Sequence, residues 1–126
     1  MTVTMEQAVA FANNAHYFTS LSLPLKSAYK LNKIKKTVDK EMEFYGNKFQ
    51  EILDTYAQKD DNGEYIMSED GTQILIIDGK VEECNQTLEE LQKMEIEVET
   101  YGLTIDELGD AECSSDQLDA IMPFIE

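Results

Sequence analysis

Arginine and tryptophan are absent from this chain, histidine occurs once, and proline and cysteine occur twice each. Each shortage closes off a class of function. Without Arg, the forked bidentate contacts that grip phosphate and read guanine are missing. One imidazole and two scattered thiols make no His/Cys cluster, so no zinc site is expected. Cys84 and Cys113 form neither a CxxC pair nor a disulfide framework. The opening MTVTMEQ has no basic n-region and no apolar h-region, so no signal peptide is expected and the two cysteines read as cytosolic thiols. No apolar run approaches the ~20 residues that span a bilayer. The six glycines stand alone at 46, 63, 71, 79, 102 and 109, which rules out a Gly-rich phosphate loop.

What the chain has in excess is negative charge. It carries 26 Asp and Glu against 10 lysines, a net charge of −16 over 126 residues. That balance repels a phosphate backbone, so direct nucleic-acid binding is not expected. The charge is segregated. Residues 1–59 hold eight lysines and six acids, whereas residues 60–126 hold two lysines and twenty acids. With 42% apolar residues the chain can bury a core, and its length suits a single domain over 1–126. Within that domain, 1–59 reads as helical and near-neutral, and 60–126 as mixed α and β and strongly acidic.

Periodicity supplies the elements. Thr2-Val3-Thr4 is a short strand or a lead-in. Thr4 with Gln7 is a capping box, and Met5, Ala8, Ala12, Ala15 and Phe18 follow helical spacing over 5–19. Pro24 opens a second helix. There Leu31, Val38, Tyr45 and Ile52, joined by Ile34, Met42, Phe49 and Tyr56, make one stripe that predicts a helix over 25–58, roughly 50 Å long. Asp60-Asp61-Asn62-Gly63 ends it. Residues 64–67 and 73–77 read as a hairpin around Ser68 to Thr72. Val81, Cys84, Leu88 and Leu91 place an amphipathic helix at 80–94, and Glu95-Ile96-Glu97-Val98-Glu99 alternates as a half-buried strand. Thr104 with Glu107, and Ser114 with Gln117, are two further capping boxes, the last opening a short C-terminal helix that Pro123 stops. The expected fold is α+β: one long helix packed with two shorter ones, a small antiparallel sheet built from 64–67, 73–77 and 95–100, and a short C-terminal helix. No internal repeat is evident.

Few constellations suggest chemistry. Counting Gln58 as position 1 of a calcium loop puts Asp60 at 3, Asn62 at 5, Gly63 at 6 and Glu69 at 12. However, position 1 calls for Asp, and the segment that follows looks like strand rather than helix, so an ordinary helix-to-hairpin turn is the expectation. His16 lies beside Tyr17 and Phe18 with no nucleophile motif, and reads as a partly buried helix residue. No catalytic residue, metal or cofactor is expected, and the chain does not read as an enzyme. Lys26, Lys30, Lys33, Lys36 (or Lys35) and Lys40 recur every three or four residues as one face of the long helix. They would either meet an acidic partner or form a solvated face pairing with Glu and Asp of the acidic half, the simpler expectation. Leu118, Ile121, Met122, Phe124 and Ile125 form an apolar C-terminal cluster that would either cap the core, the simpler expectation, or insert into a partner groove.

The acidic half carries the sharper hypothesis. Glu95, Glu97 and Glu99 project from one strand face about 6.6–6.8 Å apart, near the spacing of successive phosphates. Glu82, Glu83, Glu89 and Glu90 lie on the preceding helix, and Asp106 and Glu107 follow. These nine residues are the candidate partner-binding set, a carboxylate array able to occupy a basic nucleic-acid-binding groove. The plainer alternative is that they keep the surface soluble and block edge-to-edge aggregation.

The run Leu21-Ser22-Leu23-Pro24-Leu25-Lys26, then Tyr29-Lys30-Leu31, Tyr56, Lys59-Asp60 and Asn62-Gly63, resembles small proteins of bacteriophages and prophages common in Firmicutes and gut communities. Glu89-Glu90-Leu91, Glu95-Ile96-Glu97-Val98 and Leu118 through Pro123-Phe124-Ile125 extend the resemblance over most of the chain. The family brings no established activity. The resemblance implies a phage origin and a setting in the cytoplasm of an infected bacterium. The functional expectation is a non-enzymatic protein that binds and inhibits a host or anti-phage defence protein with a basic surface, through an acidic, nucleic-acid-mimicking face, without contacting nucleic acid or membrane itself. The alternative is a virion structural or assembly (head or tail) protein that oligomerises, for instance as a homodimer, through its long helix.

Overall fold

The computed structural model describes residues 1–99 and 102–126. Their order is β1 (Thr2–Thr4), α1 (Met5–Thr19), α2 (Leu25–Tyr56), α3 (Val81–Lys93), β2 (Glu95–Glu97) and α4 (Ser115–Ile121), with 3-10 turns at Ile105–Leu108 and Met122–Phe124. The fold class is α+β, as the periodicities predict. The chain forms two compact units: Met1–Phe44 with Lys93–Glu126, and Tyr45–Gln92.

In the first unit, Thr4 caps α1 as a complete capping box, its hydroxyl accepting from the Gln7 N–H while the Gln7 side chain accepts from the Thr4 N–H. The buried residues of α1 are Met5, Ala8, Phe11, Ala15 and Phe18, whose steps of 3, 3, 4 and 3 turn one face inward. Phe11 is the centre of an aromatic group, with Phe18 stacked at 6.2 Å and Phe124 tilted against it at 4.9 Å. Leu31, Ile34 and Val38 of α2, Leu103, and Ile121 of α4 complete this core. The C-terminal cluster therefore divides: Ile121 and Phe124 are buried, Ile125 is half-buried, and Leu118 and Met122 remain exposed.

The sheet differs from expectation. It has two strands, β1 antiparallel to β2, with Thr2 opposite Glu97, Val3 opposite Ile96 and Thr4 opposite Glu95. Val3 and Ile96 are buried as a cross-strand pair, while the two glutamates face outward. The Met5 N–H donates to the Met94 carbonyl at 2.7 Å, tying the start of α1 to the start of β2. The alternating terminal triplet thus takes the place assigned to 64–67 and 73–77. Glu99 lies past the end of β2, and residue 100 of the expected strand lies outside the described residues.

In the second unit the core is Ile52, Cys84 and Leu91, with Tyr45, Phe49, Tyr56, Ile76 and Leu88 packed around them. Residues 57–79 form no ladder. Three short extended pieces make isolated antiparallel bridges, Ala57 to Ile76, Lys59 to Tyr65 and Met67 to Ile74. Their middle residues close a ring of backbone hydrogen bonds. The Gln58 N–H donates to Leu75 C=O (2.9 Å), the Leu75 N–H to Ile66 C=O (2.9 Å), and the Ile66 N–H to Gln58 C=O (3.0 Å). Each middle residue gives its donor to one neighbour and its acceptor to the other, so the backbone groups are satisfied without extending a sheet. Gly63 and Gly71, both with positive φ, close the turns between the pieces, their N–H groups donating to Asp60 and Ser68 carbonyls.

Candidate interaction surface

Of the nine expected partner-binding carboxylates, eight are exposed. Glu82, Glu83, Glu89 and Glu90 occupy the solvent side of α3, opposite the buried Cys84 and Leu91. The two pairs are seven residues apart, so they repeat along one helix face about 10.5 Å apart. Glu95 and Glu97 flank the buried Ile96 and project from the outer face of β2, and Glu99 and Asp106 are exposed in the same unit. Among the described residues, Glu82, Glu90, Glu95, Glu99 and Asp106 have no lysine within 4 Å. Glu83 pairs with Lys80 at 3.2 Å on an exposed turn, and Glu97 accepts from the Thr2 hydroxyl at 2.7 Å. Both contacts are solvated and leave the carboxylates open to a partner.

Glu107 is different. Its Oε1 lies 2.7 Å from Lys30 Nζ, with both side chains 23% exposed, and its Oε2 accepts from the hydroxyl of Ser27, which is 3% exposed. Lys30 also donates to the Gly102 carbonyl at 3.3 Å. The Lys30 ammonium holds the Glu107 carboxyl below the usual range, with Ser27 adding to the effect. Glu107 is thus committed inside the fold rather than offered outward. The capping box expected of it does not form: Thr104 makes no side-chain cap, and its hydroxyl instead lies 3.4 Å from Glu107 Oε1.

The lysine face divides in the same way. Lys30 turns to Glu107 and Lys35 to Asp39, at 2.6 Å. Lys26, Lys33, Lys36 and Lys40 have no carboxylate within 4 Å among the described residues. Lys33 instead sits 5.3 Å from the centre of the Tyr29 ring. The face is thus largely solvated, and of these lysines Lys30 pairs with the acidic half among the described residues.

Two of the calcium-loop positions, Gln58 and Asp60, are occupied by fold contacts. Asp60 accepts from the backbone N–H groups of Asn62 and Glu64, and the Gln58 side-chain amide donates to the Ile76 carbonyl. Asp70 accepts from the Ser68 hydroxyl and from the hydroxyl and N–H of Thr72, which lower its pKa to about 2. Asp54 takes the Tyr65 hydroxyl and lies 3.3 Å from Lys59. These contacts hold its carboxyl low and push the Tyr65 phenol up. Among the described residues, no three His, Cys, Asp or Glu side chains converge as metal ligands would. His16 is exposed on α1 rather than partly buried. Both cysteines are free, Cys84 buried and Cys113 exposed, and burial raises the Cys84 thiol pKa. No helix among the described residues is long and apolar enough to cross a membrane.

One feature lies outside the expected set. Leu25 is 87% exposed and Tyr29 54%. With Phe18, Leu21 and Leu23 they line a cleft of about 380 Å³ at the start of α2. Its signal is present in the sequence, since both residues fall off the buried stripe that begins at Leu31.

No protein-family model, curated protein or solved structure matches the chain in comparison.

Proposed function

We propose that the protein is a non-enzymatic phage protein that binds and inhibits a host or anti-phage defence protein, its carboxylates taking the place of nucleic acid in a basic groove. The observation that carries this reading is the exposure of eight of the nine carboxylates, on α3 in one unit and around β2 in the other. A surface of this kind raises association rates with a basic partner and weakens steeply with salt. It needs no catalytic group and no cofactor. The second unit concentrates the effect, with twelve Asp and Glu against three lysines over Tyr45–Gln92.

The test is affinity capture from host lysate with the wild-type chain and with two charge variants. One carries Glu82, Glu83, Glu89 and Glu90 as Gln, the other Glu95, Glu97 and Glu99 as Gln. The reading expects a DNA- or RNA-binding protein among the captured partners, lost in one or both variants and eluted by moderate salt. Undiminished capture by both variants counts against it.

A further inference from the structure

We propose a second, oppositely charged contact: the outer face of α2 from Leu25 to Lys40, with the cleft beside it, docks an acidic segment of another protein anchored by one bulky apolar side chain. Leu25, Tyr29, Lys33, Lys36 and Lys40 are spaced 4, 4, 3 and 4 residues apart and form a single row on the helix. The row lies opposite the buried Ser27, Leu31, Ile34 and Val38. It begins apolar and continues basic. Residues 25–40 hold six lysines and one acid in a chain of net charge −16. Lys30 and Lys35 are used in internal pairs, Lys33 is half-buried over the Tyr29 ring, and Lys26, Lys36 and Lys40 are exposed.

The apolar end supplies the anchor site. The cleft of about 380 Å³ lined by Phe18, Leu21, Leu23, Leu25 and Tyr29 is large enough for a Leu or Phe side chain. A second recess between Leu25, Lys26, Tyr29 and Lys30 shares two of its walls. Lys33 over the Tyr29 ring holds the aromatic wall and a cation together. An acidic helix or strand laid along this row would place an apolar residue in the cleft and carboxylates against Lys33, Lys36 and Lys40.

Other occupants fit less well. An isologous dimer through this face would set lysines against lysines. A membrane-surface helix needs a continuous apolar face, and over 25–40 that face is turned into the core, with Leu25 and Tyr29 the large apolar side chains exposed there. Nucleic acid would meet lysines without a single Arg in a chain whose net charge repels it.

The experiment uses the full chain, labelled with 15N, and a helical peptide of about 18 residues with Phe near one end and Glu every three or four positions. The comparators are the same peptide with Gln for Glu, vesicles of phosphatidylserine and phosphatidylcholine, and a single-stranded oligonucleotide. Amide shifts should be confined to the segment 18–40. Affinity should fall about tenfold or more between roughly 50 and 300 mM salt. Leu25→Lys alone, and Lys36→Glu with Lys40→Glu, should each weaken binding by a similar factor with melting unchanged, since all three side chains are exposed. The proposal is overturned by equal binding of the Gln peptide, by shifts located elsewhere, or by no shifts at millimolar peptide. It is also overturned if vesicles or the oligonucleotide bind this row in place of the peptide, or if the row mediates self-association. Because the variants here are lysines and Leu25, failure leaves the glutamate-based reading to its own test.

Discussion

Lys30 Nζ and Glu107 Oε1 lie 2.7 Å apart across 77 residues of sequence, joining α2 to the 3-10 turn at Ile105–Leu108. Both groups are mostly shielded, and the buried Ser27 hydroxyl completes the shell around the carboxylate. Among the nine candidate carboxylates this one stabilises the fold.

The pair sets a pH dependence. The folded Glu107 carboxyl titrates below its ordinary value near 4.5, so its contribution to stability is complete above that pH and is lost as pH falls through the folded value. Acid unfolding should therefore begin at higher pH in Lys30→Met than in the wild type. Glu107→Gln should lower the melting temperature at pH 7 and flatten the stability profile between pH 5 and the acid limit, about the range over which such carboxylates are lost. Thermal melts at stepped pH check both.

The turn at Ser68–Thr72 makes a parallel prediction in the other unit. Asp70 titrates at about 2 rather than 3.8, so the turn keeps its hydrogen bonds until pH falls through that interval. Asp70→Asn should loosen Ser68 and Thr72, read as increased amide exchange there. Gly71→Ala meets no atom within 4 Å but must hold φ near +72, and should cost roughly 1–2 kcal/mol.

Phe124 is fully buried against Phe11. Phe124→Ala should destabilise the chain by about 3–5 kcal/mol in urea titration. Leu118→Ala, six residues earlier at an exposed position, should stay within roughly 0.5 kcal/mol.

Helices were legible because their apolar spacing is local. Met5 to Phe18 places α1 at its observed bounds, and the stripe from Leu31 to Tyr56 places α2 within two residues of its end. The sheet was not legible in the same way. Val3 sits in a strand only three residues long, and its partner Ile96 is set by pairing across the chain, which no local pattern encodes. The ring of Gln58, Ile66 and Leu75 was less legible still: the apolar stripe carries the long helix through Gln58, which lies two residues past the end of α2, and the β-type runs at 64–67 and 73–77 do not encode which neighbour receives each hydrogen bond. At the candidate surface, outward Glu on α3 and β2 follow from period alone. Glu107 and Lys30 do not, since each sits in a local pattern, a capping box and a lysine row, that a tertiary contact overrides.

The thiols should separate by accessibility. Cys113 is exposed and Cys84 is buried with a raised pKa. A thiol reagent should label one site quickly in the native protein and a second only on unfolding, and mass mapping should assign the fast site to Cys113.

The most direct test of the carboxylate surface is competition. With a captured nucleic-acid-binding partner purified, its affinity for labelled duplex DNA is measured against increasing chain, alongside the variant carrying Glu82, Glu83, Glu89 and Glu90 as Gln and the variant carrying Glu95, Glu97 and Glu99 as Gln. The account predicts that the wild-type chain displaces the duplex competitively, and that at least one variant does so about tenfold less well or worse. A ternary complex of partner, duplex and chain, or displacement unaffected by either variant, would contradict it.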